Sequence, residues 1–303
     1  MARANVVRTD RPYDYALLSE DLAGLLEAHA NLDVRSIGVS VAGRPIPALR
    51  IGDGPVRIHY NGSFHANEWI TSLLLMKFAE DCLTAVNTKT GIFAEEMKAI
   101  FRRATMWIVP MVNPDGVNMA IHGAAAVPAP YRSLVLPDGG EPDFTQWKAN
   151  VRGVDLNDQF PAHWEEERIR RGITAPGPRD YGGEAPLTEP EARAMAAFTR
   201  EMDFHMVFAF HTQGEEIYWN YRGFEPDHAE TLAVRLASAA GYKAVRLTDS
   251  DAGYKDWFIQ EFRRPGFTVE VGRGANPLPL RQFNAIYRRL AKLMLHCLML
   301  PVS

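Results

Sequence analysis

"VRIHYNGSFHANEWITSLLLMKFAEDCLT", residues 56–84, decides how the rest of the chain is read. Its first half is short and rich in β-branched and aromatic residues, and it is apolar on both faces, so it reads as a strand over 56–64 covered by helices on each side. Its second half carries apolar residues at helical spacing and reads as a helix over 69–84. Between them lies "NGSFHANEWI" (61–70), a polar interruption with His65 and Glu68 three apart. The bland account is a turn with two solvated side chains. The sharper one is half of a metal site at a strand end, where sites collect in open α/β sheets.

The same alternation runs outward in both directions. "VRSIGVSV" (34–41) and "IPALRIG" (46–52) flank "AGR" and read as a hairpin. "TMWIVPMVN" (105–113), "MVFAFHT" (206–212), "KAVRLTD" (243–249) and "FTVEVG" (267–272) read as further strands. Helical patterns cover 14–29, 92–102, 189–201, 227–240, 253–262 and 279–299. In "LTEPEARAMAAF", Thr188 is placed to cap, Pro190 sits in the first turn and Glu191 completes a capping box. The last helix sets Phe283, Ile286, Leu290, Leu293, Met294 and Cys297 on one stripe. Strands alternating with helices imply an α/β fold with a mixed sheet, in one domain over 1–303. Only 120–186 lacks periodicity. A stretch that long, rich in Pro, Gly and charge, reads as a functional loop system.

Composition excludes several classes. The 303 residues are 47% hydrophobic and 23% charged with a net charge of −4, so no basic surplus points to nucleic acid. Cys82 and Cys297, the two cysteines, lie far apart in apolar helical segments and read as buried thiols rather than a disulfide framework. No window approaches 18 uninterrupted apolar residues, so no membrane span is expected. The N-terminal stretch has no apolar core of a signal peptide, which makes a cytoplasmic location the expectation.

Hydrolytic zinc sites take three N or O ligands and leave a position open. His65 and Glu68 supply two. His211 ends "MVFAFHT" in the same strand-to-loop position. Glu270 is a carboxylate inside the apolar strand "FTVEVG", and a buried charge there needs a partner or a chemical task. Two His and one Glu to hold a metal, with a second Glu to take a proton from water, are the parts such chemistry requires. The remaining histidines read otherwise: His29, His122, His163, His228 and His296 as surface or helix-face residues, and His59 and His205 as satisfied sheet histidines.

The ordered segments "FHANEW", "MVNPDGV", "WKANVRGVDLNDQFP", "GGEAPLTEPEARAM", "FHTQG", "GYKDWF" and "FTVEVG" resemble the zinc carboxypeptidase family from about Tyr13 to the C-terminal helix. The resemblance implies a three-layer α/β/α sandwich around a mixed eight-stranded sheet. It implies one Zn²⁺ on His65, Glu68 and His211, with Glu270 as general base and proton donor.

The departures from the family pattern are informative. Its carboxypeptidases grip a terminal carboxylate with an Asn-Arg pair; here "VDLNDQF" keeps Asn157 but has Asp158 in place of the Arg. An acid there repels a terminal carboxylate and attracts an ammonium, or else it is a loop residue bound to backbone amides. Lys148 stands where an Arg usually steadies the oxyanion, and delivers charge as a point rather than a fork; the alternative is a surface lysine. Thr248 replaces the tyrosine that closes over substrate, and Tyr254 is near enough in sequence to substitute. Lys255 sits at a position that often lines the specificity pocket and would favour an acidic substrate group, with a solvent-facing helix lysine as the alternative. Asp155 is a candidate acceptor for the outer nitrogen of a ligand histidine, or simply a structural carboxylate. "NDQFPAHWE" and "FTVEVGRGANPLP" resemble the bacterial γ-D-glutamyl-diamino acid peptidases, whose substrates are small stem peptides of peptidoglycan. A zwitterionic diaminopimelate end would suit a pocket holding Asp158 and Lys255. The rivals are a metallocarboxypeptidase, an N-acyl amino acid deacylase, a peptide-binding module without catalysis, or a structural zinc.

Overall fold

The structure, a computed structural model, describes residues 5–30, 32–87, 92–136 and 142–300. Ten helices and eight strands alternate along them. The strands are β1 (Asp33–Val39), β2 (Pro45–Ile51), β3 (Val56–Gly62), β4 (Ala104–Val109), β5 (Met206–His211), β6 (Glu216–Tyr218), β7 (Lys243–Val245) and β8 (Gly266–Glu270). The helices are α1 (Tyr15–Ala28), α2 (Ile70–Asn87), α3 (Ile92–Arg103), α4 (Pro114–His122), α5 (Arg132–Val135), α6 (Trp164–Arg171), α7 (Pro190–Met202), α8 (Ala229–Ala240), α9 (Tyr254–Phe262) and α10 (Phe283–Met299).

All eight strands join one mixed sheet in the order β1-β2-β4-β3-β5-β8-β6-β7. The centre, β4-β3-β5-β8, is parallel. The hairpin β1-β2 closes one side antiparallel, and β6 joins β8 antiparallel on the other. Alternation along the central strands sends residues to two different cores. Ile58, Tyr60, Phe208, Phe210 and Val269 pack with α2, α8 and α10 on one face. Val207, Ala209 and Phe64 pack with α7 and α9 on the other. The result is a three-layer α/β/α sandwich. Both cysteines are buried and free. Among the described residues, no helix is long and apolar enough to cross a membrane.

Three local readings need correction. The capping box at α7 does not form. Gln159 Oε1 accepts from the Thr188 and Glu189 amides and from the Thr188 hydroxyl, and Glu191 Oε1 instead accepts from the Val41 amide. The stretch 120–186 is not loop alone, since the single-turn α5 and the longer α6 lie within it. The α6 sequence "WEEERIRR" has no apolar stripe; acids in its first turn and arginines in its last suit the helix dipole. Finally, β6 is three residues long and falls in the charged run "GEEIYWN", too short for an alternation to register.

Candidate metal centre

The ligand loop is built by close backbone approach. β3 ends at Gly62, where an added Cβ would sit 2.9 Å from Thr71 Oγ1, so a side chain would push the loop off the start of α2. Ser63 turns the chain at φ 51°, with its hydroxyl 2.7 Å from that of Ser72 and its amide donating to Thr71 Oγ1. A 3-10 turn, Ala66–Glu68, then places Glu68 one turn beyond His65. The Ala66 and Asn67 amides donate to the carbonyls of Lys148 and Trp147, which draws Lys148 beside the turn. Asn113 Nδ2 donates to the carbonyls of Phe64 and Ala149 and holds the two segments together.

His211, at the end of β5, faces this turn from the neighbouring strand. His65 Nδ1 and His211 Nδ1 are 3.1 Å apart. Glu68 bridges them, with Oε1 2.9 Å from His65 Nδ1 and Oε2 3.0 Å from His211 Nδ1. Glu68 is 1% exposed and His211 2%. Three N and O donor atoms within 4.8 Å of one another form a His₂Glu set, the composition found in hydrolytic zinc sites. Two ring nitrogens turned toward each other around a buried carboxylate suit a shared cation. The residues therefore fit a divalent metal. Electrostatics agree. Burial works against it, yet the Glu68 and Asp155 carboxylates push His65 up to about 10, while burial lowers His211.

The surroundings orient these donors. His65 Nε2 lies 3.3 Å from Asp155 Oδ1. Asp155 also accepts from the amides of Asn157 and Asp180. Burial opposes it, but His65, Lys148 and the Asp180 amide hold its carboxyl below the ordinary range. Thr212 N donates to Glu68 Oε2. Asn276, in the loop after β8, donates to Glu68 Oε1 at 3.4 Å and to the Thr212 carbonyl at 3.0 Å. Sequence reasoning missed Asn276; its only local signal is the Asn-Pro step in "GANPLP".

Glu270 and Lys148 complete the cluster. Glu270 is the ladder partner of His211 across β5 and β8, so both side chains leave the same face of the sheet. Burial and the nearby Glu68 carboxylate push Glu270 up to about 8, with His65 and Lys148 pulling the other way. Lys148 Nζ is 3.8 Å from Glu68 Oε1 and partly exposed.

The four substrate-side candidates fare differently. Asn157 is half-buried beside the start of α9, its Oδ1 3.4 Å from the Tyr254 amide. Asp158 is 5% exposed and faces Arg171, with Nε 3.4 Å from Oδ2; burial and Asp155 raise it to about 7. Tyr254 is fully buried. Its hydroxyl bonds Thr199 and His59, and its ring packs on Phe64 and Phe160. It does not reach the site, because the first turn of α9 points it into the core. Lys255 is no free cation either: Nζ donates to the Asn220 carbonyl at 2.7 Å and pairs with Asp256 at 2.5 Å. Thr248 is exposed, its hydroxyl donating to Asp249.

Residues 19–289 match the zinc carboxypeptidase family. The chain is 49% identical over 283 residues to "Gamma-D-glutamyl-L-diamino acid endopeptidase 1" of Lysinibacillus sphaericus, covering 93% of this chain and 71% of that one. It is 40% identical over 285 residues to the uncharacterized protein YqgT of Bacillus subtilis, covering 93% and 76%. Bovine thrombin-activatable fibrinolysis inhibitor shares the fold at a TM-score of 0.76 and 18% identity, over 96% of this chain and 97% of that one.

Proposed function

The chain belongs to the zinc carboxypeptidase family, and from that premise we propose that it hydrolyses the bond between γ-D-glutamate and a diamino acid in small peptidoglycan stem peptides. The observation that carries the chemistry is the convergence of His65, Glu68 and His211, with Glu270 in the adjacent ladder position. The substrate follows from the similarity to the Lysinibacillus endopeptidase. The absence of an arginine at 158, where a guanidinium would grip a terminal carboxylate, supports it over plain C-terminal trimming. We read 1–303 as one catalytic domain.

His65 Nδ1, a Glu68 oxygen and His211 Nδ1 would hold the ion. When bound, zinc supplies Lewis acidity, polarising the scissile carbonyl and easing proton loss from water. The chain's own residues do the rest. Glu270 takes the proton of the attacking water on its carboxylate and returns it to the leaving amine. Its ladder position beside His211 places it for both tasks. Lys148 presents its ammonium to the oxygen that gains negative charge. Asp155 accepts from His65 Nε2 and fixes which ring nitrogen faces the ion. Asn157 holds the leaving half at the mouth of α9.

The test is mass spectrometry of products from L-Ala-γ-D-Glu-diaminopimelate, with and without chelator. Release of the free diamino acid, abolished by chelator and restored by zinc, is the expected result. Faster release of C-terminal Leu or Lys from ordinary peptides would refute the reading.

A further inference from the structure

The pockets and charged groups around the centre divide into two kinds. Nearly every acid beside the site already faces a cation: Asp158 with Arg171, Asp256 with Lys255, Asp251 with Arg222, and Glu215 with Arg273. Glu216 is different. It is half-buried, and among the described residues it forms no ion pair. Among the described residues, its one side-chain hydrogen bond comes from the Tyr218 hydroxyl, 3.0 Å from Oε2.

Its place in the sheet gives this meaning. Glu216 on β6 is the antiparallel ladder partner of Glu270 on β8, and Glu270 is the parallel partner of His211 on β5. Directly paired residues leave a sheet on the same face. His211, Glu270 and Glu216 thus form one row, with the ligand and the general base on adjacent strands and Glu216 one strand further on. Tyr218, two residues along β6, shares that face, while Ile217 between them turns into the opposite core. Lys243 stands opposite Glu216 on the edge strand β7, but is exposed and makes no ion pair with it among the described residues. A carboxylate beside a second carboxylate is unfavourable unless a cation enters between them or beside them. Three lone-pair positions of Glu216 remain open for one.

We infer that Glu216, oriented by the Tyr218 hydroxyl, accepts a primary ammonium of the substrate and so selects peptides that carry one several bonds from the scissile amide. This rests on the proposed function, whose substrate offers two such groups: the N-terminal amine of the acyl half and the side-chain amine of the diamino acid. Glu216 thereby takes over the task that the sequence assigned to Asp158, which is buried and faces Arg171.

The experiment compares zinc-loaded wild type, Glu216→Gln and Tyr218→Phe on three peptides: L-Ala-γ-D-Glu-L-Lys, its N-acetylated form, and the form with norleucine for Lys. Wild type is expected to lose about tenfold or more in kcat/KM when one of the two amines is removed. Glu216→Gln is expected to lose that discrimination, and the amine whose removal it no longer senses identifies the group read. Tyr218→Phe, a positioning change, should weaken the same ratio partially. A merely structural loss would lower all three rates together and leave the ratios intact. If Glu216→Gln keeps the wild-type ratios for both amines, or if wild type ignores both, the inference is overturned while the proposed function stands. No cleavage of the parent peptide by zinc-loaded wild type would overturn both.

Discussion

Asp155→Asn is the sharpest test of how the ligand set is held. Asp155 Oδ1 lies 3.3 Å from His65 Nε2 and also accepts the Asn157 amide, while Oδ2 accepts the Asp180 amide. An aspartate satisfies all three donors because both its oxygens accept. An asparagine has one oxygen. If that oxygen stays toward His65, the new NH₂ faces the Asp180 amide, donor against donor; if it turns, the imidazole N–H loses its acceptor. One buried donor is left unpaired in the first case and two in the second, because the Asn157 amide shares that oxygen with His65, at a cost of about 1–3 kcal/mol each. The negative charge that strengthens His65 as a ligand is also lost. Changes of this kind weaken metal binding by roughly 10–100-fold, or about 1.4–2.7 kcal/mol. Competition against a chromophoric zinc chelator measures the affinity, and circular dichroism of the metal-free protein checks that the fold is intact. A folded Asp155→Asn protein binding zinc within twofold of wild type would refute the argument.

Other outcomes follow from the same geometry. Glu270→Gln should retain stoichiometric zinc by elemental analysis yet lower kcat by about 10²–10⁴-fold, as expected for loss of a positioned base; near-full turnover would exclude Glu270 from that role. Lys148→Met should lower kcat by about 10²–10³-fold, and Lys148→Arg should recover much of it, since either cation can face the developing charge; equal losses in both would point to packing instead. Glu191 is fully buried, and burial pushes its carboxyl up to about 8 from the ordinary 4.5. Between those values the folded chain holds a proton that the unfolded chain has released, so this group makes stability fall as pH rises, by up to about 1.4 kcal/mol per unit. Glu191→Gln should remove that slope and gain stability relative to wild type from pH 5 to pH 8 in urea titrations; a parallel pH profile would rule it out. His59 acts in the opposite direction. Burial lowers it to about 3, so stability falls as pH drops below about 6.5. The comparison therefore needs wild type at each pH.

The sequence alone determined the α/β class and seven of the eight strands, and it nominated His65, Glu68, His211 and Glu270 once the ordered motifs supplied the family resemblance. Those are legible because strand and helix periodicity are local properties, and because a charged residue ending or interrupting an apolar strand stands out without knowledge of its neighbours. It could not settle where side chains on the remaining turns point. Tyr254 and Lys255 are adjacent in sequence to a candidate pocket, yet the first turn of α9 sends one into the core and locks the other against Asp256. Asp158 reads as a free acid until α6, a polar helix with no apolar stripe, delivers Arg171 to it. Glu216 was invisible because β6 is three residues long, and its relation to Glu270 exists only through antiparallel pairing across 54 positions of chain. Which charges are already paired, and which are left to meet a substrate, is a property of contacts between distant segments, and only the folded chain makes those contacts.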